Sequence, residues 1–216
     1  MDGNRRWANA QGLPLLEGHR AGYESLKRMI RVVGKNEIPH MVCYAFSTEN
    51  WKRSKDEVSY LMTLIHTALG EIADGISEDG KNVRVRIIGE RSRFPKKLQE
   101  EIVRIERKNI NNPHLTVWVA LSYGGRAEIV DAVNRAISAG DVVTEKSFER
   151  LLWTGDMPDP ELIIRTSGEQ RISNFLLWKA SYSEFFFTNT LWPDFGETEF
   201  QSILDAYGKR QRRGGT

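Results

Sequence analysis

The segment at residues 162–178, LIIRTSGEQRISNFLLW, places a basic, hydroxyl-rich loop between two apolar stretches. Its first three residues are β-branched or leucine and are typical of a buried parallel strand, and Ser173 with Asn174 predicts a capped helix start before the second stretch. Loops at the carboxyl ends of parallel strands commonly bind ligands in open α/β sheets. The side chains of Arg165, Arg171 and Ser173 therefore favour a phosphate ligand. A surface loop whose arginines form ion pairs is the alternative.

Apolar periodicity predicts regular structure along most of the chain. The predicted helices cover residues 17–33, 56–76, 96–111, 127–139 and 197–207, and the predicted strands cover 38–46, 83–88, 115–121 and 162–164. With 216 residues the chain is long enough to form one domain with a substantial core. We therefore expect residues 1–216 to form a single domain.

Charge and cysteine content give no support to a nucleic-acid-binding protein or to a protein with an internal disulfide. The formal net charge is only +2 and the basic residues are dispersed, which gives little support to nucleic-acid binding. The exception is a basic tail that could meet phosphates or a membrane surface: Lys209, Arg210, Arg212 and Arg213. The single cysteine, Cys43, lies in an apolar run and is predicted to be a core residue of a protein in a reducing cytoplasm. No apolar run approaches ~20 residues, and no signal peptide is recognisable.

The first residues, MDGNRRWA, combine a tight turn with a carboxylate and two arginines. Asp2 would repel an anion that Arg5 and Arg6 collect, unless a divalent cation is shared between the carboxylate and a phosphate. Mg²⁺ is commonly held in this way, by one or two carboxylates and the oxygens of the substrate. A simple hairpin turn explains the same residues about as well.

Six blocks of the sequence resemble the undecaprenyl diphosphate synthase family of cis-prenyltransferases, and they occur in the family's order. They are MDGNRRWA at 1–8, GHRAG at 18–22, YAFSTENWKR at 44–53, SYGGRAEIV at 122–130, LIIRTSGEQRISNFLLW at 162–178 and SYSEFFFTNTLWPDF at 181–195. The resemblance implies a three-layer α/β fold with a central, mostly parallel sheet and an apolar tunnel beside it. It also implies condensation of isopentenyl diphosphate onto an allylic diphosphate, farnesyl diphosphate above all, to give a Z-polyprenyl diphosphate. Undecaprenyl diphosphate, a lipid-carrier precursor for cell-wall glycans, is such a product.

The resemblance also implies roles for particular side chains. Asp2 would bind Mg²⁺ and, with Asn50, would be catalytic. The loop at residues 47–53, within the third block, would take part in closure over the substrate or in proton removal through Ser47, Asn50, Trp51 and Arg53. Residues expected to bind the allylic diphosphate are Gly3, Asn4, Arg5, Arg6, Trp7, His19, Ser47, Trp51 and Arg53. Residues expected to bind isopentenyl diphosphate are Arg165, Arg171 and Ser173.

The family also implies a homodimer in which Glu184 reaches the partner's active site near the metal. A buried ion pair is the alternative for this carboxylate among aromatic residues. The product implies delivery to a membrane, with peripheral membrane contact. A competing reading from another class is a noncatalytic subunit of a heteromeric cis-prenyltransferase, but such subunits lose the anion-site residues, whereas Asp2, Arg165, Arg171 and Ser173 are present here.

The chain departs from the family pattern at three positions. An apolar strand precedes the first turn in the family, whereas this sequence begins at Met1. Leu15 occupies the position of a family arginine four residues before His19, so one diphosphate ligand is expected to be missing. No aromatic residue precedes the final glycines of the closing RxG motif. Other catalytic signatures are absent from the sequence, including the DDxxD pairs of trans-type prenyl synthases, nucleotide-binding glycine loops and zinc-ligand spacings.

Overall fold

The computed structural model describes residues 1–75, 82–108 and 110–210. The helices are Asn4–Ala10 (α1), Leu15–Lys35 (α2), Lys55–Gly75 (α3), Lys96–Arg107 (α4), Gly125–Ala139 (α5), Glu145–Glu149 (α6) and Glu197–Gly208 (α7). The strands are His40–Ser47 (β1), Val83–Ile88 (β2), Leu115–Tyr123 (β3), Leu162–Arg165 (β4) and Glu184–Phe187 (β5). Short 3₁₀ helices cover Thr48–Lys52 and Trp192–Asp194. The predicted alternation of helices and strands in a single α/β domain is confirmed.

Among the described residues, the strand pairs are all parallel and form two groups. In the first group β3 lies between β1 and β2, with Val42 opposite Trp118 in one pair. In the second group β4 pairs with β5, with Arg165 opposite Phe187. Every residue of β3 is buried, as expected for a strand that has a neighbour on each edge and packed hydrophobic residues on both faces.

A cavity of about 1050 Å³ separates the two groups of strands. Consecutive residues of both β1 and β4 line the cavity. Because successive side chains of a strand point to opposite faces, this pattern shows that the cavity runs along the edge of each strand. Met1 also lines the cavity, and burial lowers the pKa of its amino group. This cavity therefore lies between two strand edges and not against one face of the sheet, so the apolar tunnel expected beside the sheet stays a prediction.

The first turn is held against α2 by close backbone contact. Gly3 has a φ of 108°, in the left-handed region that favours glycine, and a Cβ there would lie 2.9 Å from a methyl carbon of Leu191. A Cβ on Gly18 would lie 2.1 Å from the carbonyl oxygen of Asn4. The glycines of the first two sequence blocks therefore let α1 and α2 pack closely, which brings the first turn beside His19.

The prediction of a helix after Ser173 is wrong. Turns occupy this stretch, and Ser173, Asn174 and Leu176 have positive φ angles that a continuous helix excludes. Asn174 instead stabilises the start of α5. Its carbonyl oxygen accepts a hydrogen bond from the Gly125 amide at 2.7 Å, and its side-chain oxygen accepts one from the Arg126 amide at 2.9 Å. The anion site expected in this loop therefore has no helix N-terminus there.

Cys43 is 1% exposed, which confirms it as a core residue. The closing RxG motif lies outside the described residues, and so does Ile76, at the expected end of α3. Among the described residues, no helix combines the length and apolar character needed to cross a bilayer.

Candidate active site

The backbone of Asp2 is fixed to the end of β4. Its amide donates a hydrogen bond to the Thr166 hydroxyl oxygen at 2.9 Å, and that hydroxyl donates to the Asp2 carbonyl oxygen at 2.8 Å. The Trp192 amide donates to the same carbonyl oxygen at 3.0 Å. Because Thr166 is buried, these bonds hold the Asp2 side chain at the carboxyl end of β4.

The Asp2 carboxylate faces two guanidinium groups. Arg165 donates a hydrogen bond to its Oδ2 at 2.9 Å, and Arg6 lies 3.5 Å from its Oδ1. Partial burial alone would raise the pKa of Asp2, but the hydrogen bond and charge of Arg165, with the charge of Arg6, hold that pKa below its usual value. Asp2 is therefore ionised at neutral pH, and a bound cation would replace its pairs with Arg165 and Arg6.

Arg165 connects Asp2 with the loop that was expected to bind isopentenyl diphosphate. While its Nη2 bonds to Asp2, its Nη1 donates to the Ser173 hydroxyl oxygen at 2.7 Å and to the carbonyl oxygen of Arg171. The Arg171 side chain pairs with Glu169 and stays 61% exposed. The three residues of the expected site lie together, but in this state an internal network uses the guanidinium of Arg165.

Arg6 joins the first turn to the same loop. Its guanidinium donates to the Ser167 carbonyl oxygen at 2.9 Å and to the Ser167 hydroxyl oxygen at 2.5 Å, and it lies 3.6 Å from Glu169. The first turn and the loop after β4 thus form one basic cluster, although Arg6 and Ser167 are 161 residues apart in sequence.

The loop after β1 is closed by reciprocal hydrogen bonds between Ser47 and Asn50. The Asn50 side chain accepts a bond from the Ser47 amide at 3.1 Å, and the Ser47 side chain accepts one from the Asn50 amide. This capping box fixes the entry to the 3₁₀ helix. Both residues line the cavity, so the loop presents them to any bound substrate.

His19 and Arg53 meet at a carboxylate that the sequence analysis did not assign to the site. One oxygen of Glu57 lies 3.0 Å from His19 Nε2 and accepts a hydrogen bond from Arg53 at 3.0 Å. Burial lowers the pKa of His19, and the nearby carboxylate only partly offsets this effect. Glu57 follows Arg53 by four residues, a spacing that favours side-chain contact on a helix and could have indicated this pair from the sequence.

Most of the expected site residues share the cavity. Those that line it are Asp2, Gly3, Asn4, Arg5, Arg6, His19, Ser47, Asn50, Arg53, Arg165, Arg171 and Ser173. Two tryptophans are used elsewhere. Trp7 donates a hydrogen bond to Asp194 at 2.8 Å, and Trp51 donates one to the Ser122 hydroxyl oxygen at 2.9 Å. Neither ring lines the cavity, nor does Leu15, at the start of α2.

Glu184 does not join Asp2 within one chain. Glu184 begins β5 opposite Leu162. Arg165, which contacts Asp2, lies three residues farther along β4, and this spacing corresponds to about 10 Å along the strand. The Glu184 carboxylate pairs with Arg210, whose guanidinium also lies 3.9 Å from the Phe186 ring centroid. Within one chain, Glu184 therefore pairs with Arg210 and not with the groups around Asp2.

A divalent cation fits Asp2 only in company with a phosphorylated substrate. Within the described residues, no cluster of three or more histidine, cysteine or carboxylate side chains is arranged to hold a metal ion. One ionised carboxylate beside several guanidinium groups matches the common Mg²⁺ arrangement, in which substrate oxygens supply the other ligands. The residues present thus fit a metal carried in with a diphosphate.

Comparisons with known proteins identify the family of the chain. Residues 1–215 match the family described as putative undecaprenyl diphosphate synthase. An isoprenyl transferase of Fusobacterium nucleatum is 46% identical over all of this chain and 93% of its own length. One from Thermotoga maritima is 42% identical over all of this chain and 94% of its own length.

Two solved structures share the fold. Lavandulyl diphosphate synthase from Lavandula x intermedia, solved in complex with dimethylallyl diphosphate, superposes with a TM-score of 0.92 at 33% identity, over all of this chain and 95% of that one. A probable undecaprenyl diphosphate synthase from Campylobacter jejuni gives a TM-score of 0.80 at 35% identity, over 91% of this chain and 93% of that one. The chain therefore belongs to the undecaprenyl diphosphate synthase family of cis-prenyltransferases, whose members are isoprenyl transferases.

Proposed function

We propose that this isoprenyl transferase condenses isopentenyl diphosphate with an allylic diphosphate, farnesyl diphosphate in the first instance, to form a Z-polyprenyl diphosphate such as undecaprenyl diphosphate. The observation that carries the proposal is the arrangement of the cavity. Two groups of cationic side chains lie at the carboxyl ends of β1 and β4, and the rest of the cavity is lined mainly by apolar residues. Two diphosphates and a hydrocarbon chain match these three surfaces.

The allylic diphosphate is assigned to the end of the cavity formed by the first turn. Arg5, Arg6, His19 and Arg53 line this end, together with the polar side chain of Asn4. The Asn4 side-chain oxygen is buried and has no hydrogen-bond partner among the described residues. These cations would stabilise the negative charge that develops on the leaving diphosphate as the allylic C–O bond breaks.

Asp2 is the residue that would hold Mg²⁺ against the same diphosphate. When bound, the ion would supply Lewis-acid stabilisation of the leaving group. The ionised state of Asp2 and its position between Arg6 and Arg165 support this assignment.

Isopentenyl diphosphate is assigned to the loop after β4. Arg165, Arg171 and Ser173 would bind its diphosphate and hold its double bond facing the allylic carbon, which removes most of the entropy cost of bringing two substrates together. After the carbon–carbon bond forms, the loop that carries Ser47 and Asn50 would orient the proton that is lost, and the released diphosphate would accept it. Exclusion of water by the apolar wall would protect the carbocation from hydrolysis.

We also propose that the active protein is a cytoplasmic homodimer, with Glu184 of each chain acting at the site of the other. Val130, Val133 and Ile137 form an exposed apolar stripe on one face of α5, with exposures of 58%, 41% and 70%. Such stripes often mark protein interfaces. Peripheral contact with a membrane is proposed as the route by which the long apolar product leaves.

The function is tested by incubating the purified protein with farnesyl diphosphate, labelled isopentenyl diphosphate and Mg²⁺. We expect butanol-extractable label that mass spectrometry resolves into products differing by five-carbon units. The longest product gives the chain length. Binding of both diphosphates without any extractable product would contradict catalysis and would support the noncatalytic-subunit alternative.

A further inference from the structure

The carboxylate of Glu57 lies between His19 on α2 and Arg53 in the loop after β1. It is 9% exposed, at the N-terminal end of α3, and His19 on α2 is 8% exposed. A single oxygen, Oε1, contacts both His19 Nε2 and Arg53 Nη1 at 3.0 Å. The contact therefore joins α2, the loop after β1 and α3 at one atom.

The surroundings of Glu57 keep it ionised. Burial alone would raise its pKa, but the bond with His19 and the charges of Arg53 and Arg5 hold the pKa below its ordinary value. The Glu57 amide also donates to the Ser54 hydroxyl oxygen at 3.3 Å, at the start of α3, where the helix dipole favours negative charge. An ionised carboxylate has no proton to donate.

The ionised carboxylate determines the protonation of the His19 ring. Because Glu57 can only accept, the Nε2 atom of His19 must carry the proton of their hydrogen bond. The neutral ring then presents a bare Nδ1, which can accept a hydrogen bond but cannot donate one. His19 can donate to a diphosphate oxygen from Nδ1 only after it takes up a second proton.

We infer that Glu57 is a positioning residue that fixes His19 and Arg53 for the allylic diphosphate and makes His19 a ligand that binds with uptake of a proton. The inference rests on the proposed function, since it concerns the same diphosphate. The charged groups around the ring are Glu57, Arg53 and Arg5, and the last two disfavour the imidazolium. A bound diphosphate adds negative charge beside these groups, which favours the protonated form of His19.

The test uses direct binding, with no turnover. Isothermal titration calorimetry of farnesyl diphosphate into metal-free protein, in two buffers of different ionisation enthalpy between pH 7 and pH 9, gives affinity and proton uptake together. We expect the wild-type protein to take up more protons than His19→Asn, by up to one per site, because only the histidine can gain one. Equal proton uptake by these two proteins would overturn the proton-linked role.

Glu57→Gln preserves size and removes the charge. We expect at least about tenfold weaker binding of farnesyl diphosphate and a smaller proton uptake, since hydrogen bonds to charged groups carry roughly that effect. Glu71→Gln is the matched control, because Glu71 lies on the same helix and also contacts α2, through Tyr23 and Lys27. Binding by the control should equal that of the wild-type protein.

Three results separate the proposals. Wild-type affinity and proton uptake in Glu57→Gln would overturn the positioning role. A parallel loss in Glu57→Gln and Glu71→Gln, accompanied by lower melting temperatures in both, would reduce Glu57 to a structural contact between helices. No binding of farnesyl diphosphate by the wild-type protein at any pH would contradict the proposed function itself.

Discussion

The Asp2 carboxylate and the Arg165 guanidinium are joined by a hydrogen bond of 2.9 Å across a sequence separation of 163 residues. The same guanidinium bonds to Ser173, so the proposed metal ligand and the proposed isopentenyl diphosphate site share one side chain. Binding of a cation at Asp2 would compete with Arg165 and release it towards a diphosphate. The groups that would bind substrates therefore pair with one another in the structure, and bound substrates would separate them.

Replacing Asp2 by asparagine should abolish most catalysis while leaving substrate binding. The variant keeps the size of the side chain and loses the charge that would hold Mg²⁺, so kcat should fall by about 10²–10³-fold. Steady-state assays over a range of Mg²⁺ concentrations check this, with Asp141→Asn on the exposed segment after α5 as the control. More than about a tenth of wild-type kcat, with unchanged Mg²⁺ dependence, would exclude the metal role.

Arg165 and Arg171 should differ when each is replaced by alanine. Arg171 is mostly exposed, and within the described part of the chain its side chain pairs with Glu169. Its loss should therefore raise KM for isopentenyl diphosphate by roughly tenfold or more, with little change in kcat. Arg165 also holds Asp2, so its loss should lower kcat as well. Arg135→Ala on α5 is the control. Equal effects on the KM values of both substrates would contradict the assignment of this loop.

Mixing two inactive proteins should restore activity if Glu184 acts in the partner. In a mixed dimer of Asp2→Ala and Glu184→Ala, one of the two sites has both carboxylates intact. Random exchange should therefore return about a quarter of wild-type activity. Subunit exchange must be shown separately, for instance by native mass spectrometry. Exchange without recovery would place the role of Glu184 within its own chain, in its pair with Arg210.

Alanine at Gly3 should destabilise the protein more than alanine at Gly12. Both glycines have positive φ angles, of 108° and 66°, but nothing lies within 4 Å of a Cβ at Gly12. Gly12→Ala should cost about 1 kcal/mol from backbone strain alone. Gly3→Ala should cost at least about 1 kcal/mol more, because its methyl group would overlap Leu191. Urea unfolding of both variants measures the difference, and equal costs would show that Leu191 moves aside.

Cys43 should be inert in the folded protein. Burial raises the pKa of its thiol to about 12, so only about 10⁻⁴ of it is thiolate at pH 8. Iodoacetamide should therefore modify the native protein far more slowly than the protein in urea, as followed by mass spectrometry. Rapid modification under native conditions would show that the cavity beside β1 opens readily to solvent.

Local sequence determined most elements of the fold. The apolar run of β3 and the periodicity of α2 predict a buried strand and an amphipathic helix whatever surrounds them. The segment after Ser173 was different, because its apolar residues suit a helix while positive φ angles at Ser173 and Leu176 exclude one. Contacts of Asn174 with the start of α5 fix that conformation, and such contacts cannot be read from local propensity.

The sequence blocks predicted most of the charged side chains that line the cavity, because residue type and order along the chain can be read directly from the sequence. Only the tertiary structure decided how they are paired. It placed Arg165 on Asp2, directed Trp7 to Asp194, and joined His19 to Arg53 through Glu57. The physical reason is that these pairs depend on distances of about 3 Å between segments far apart in the chain, and packing of the whole domain sets such distances.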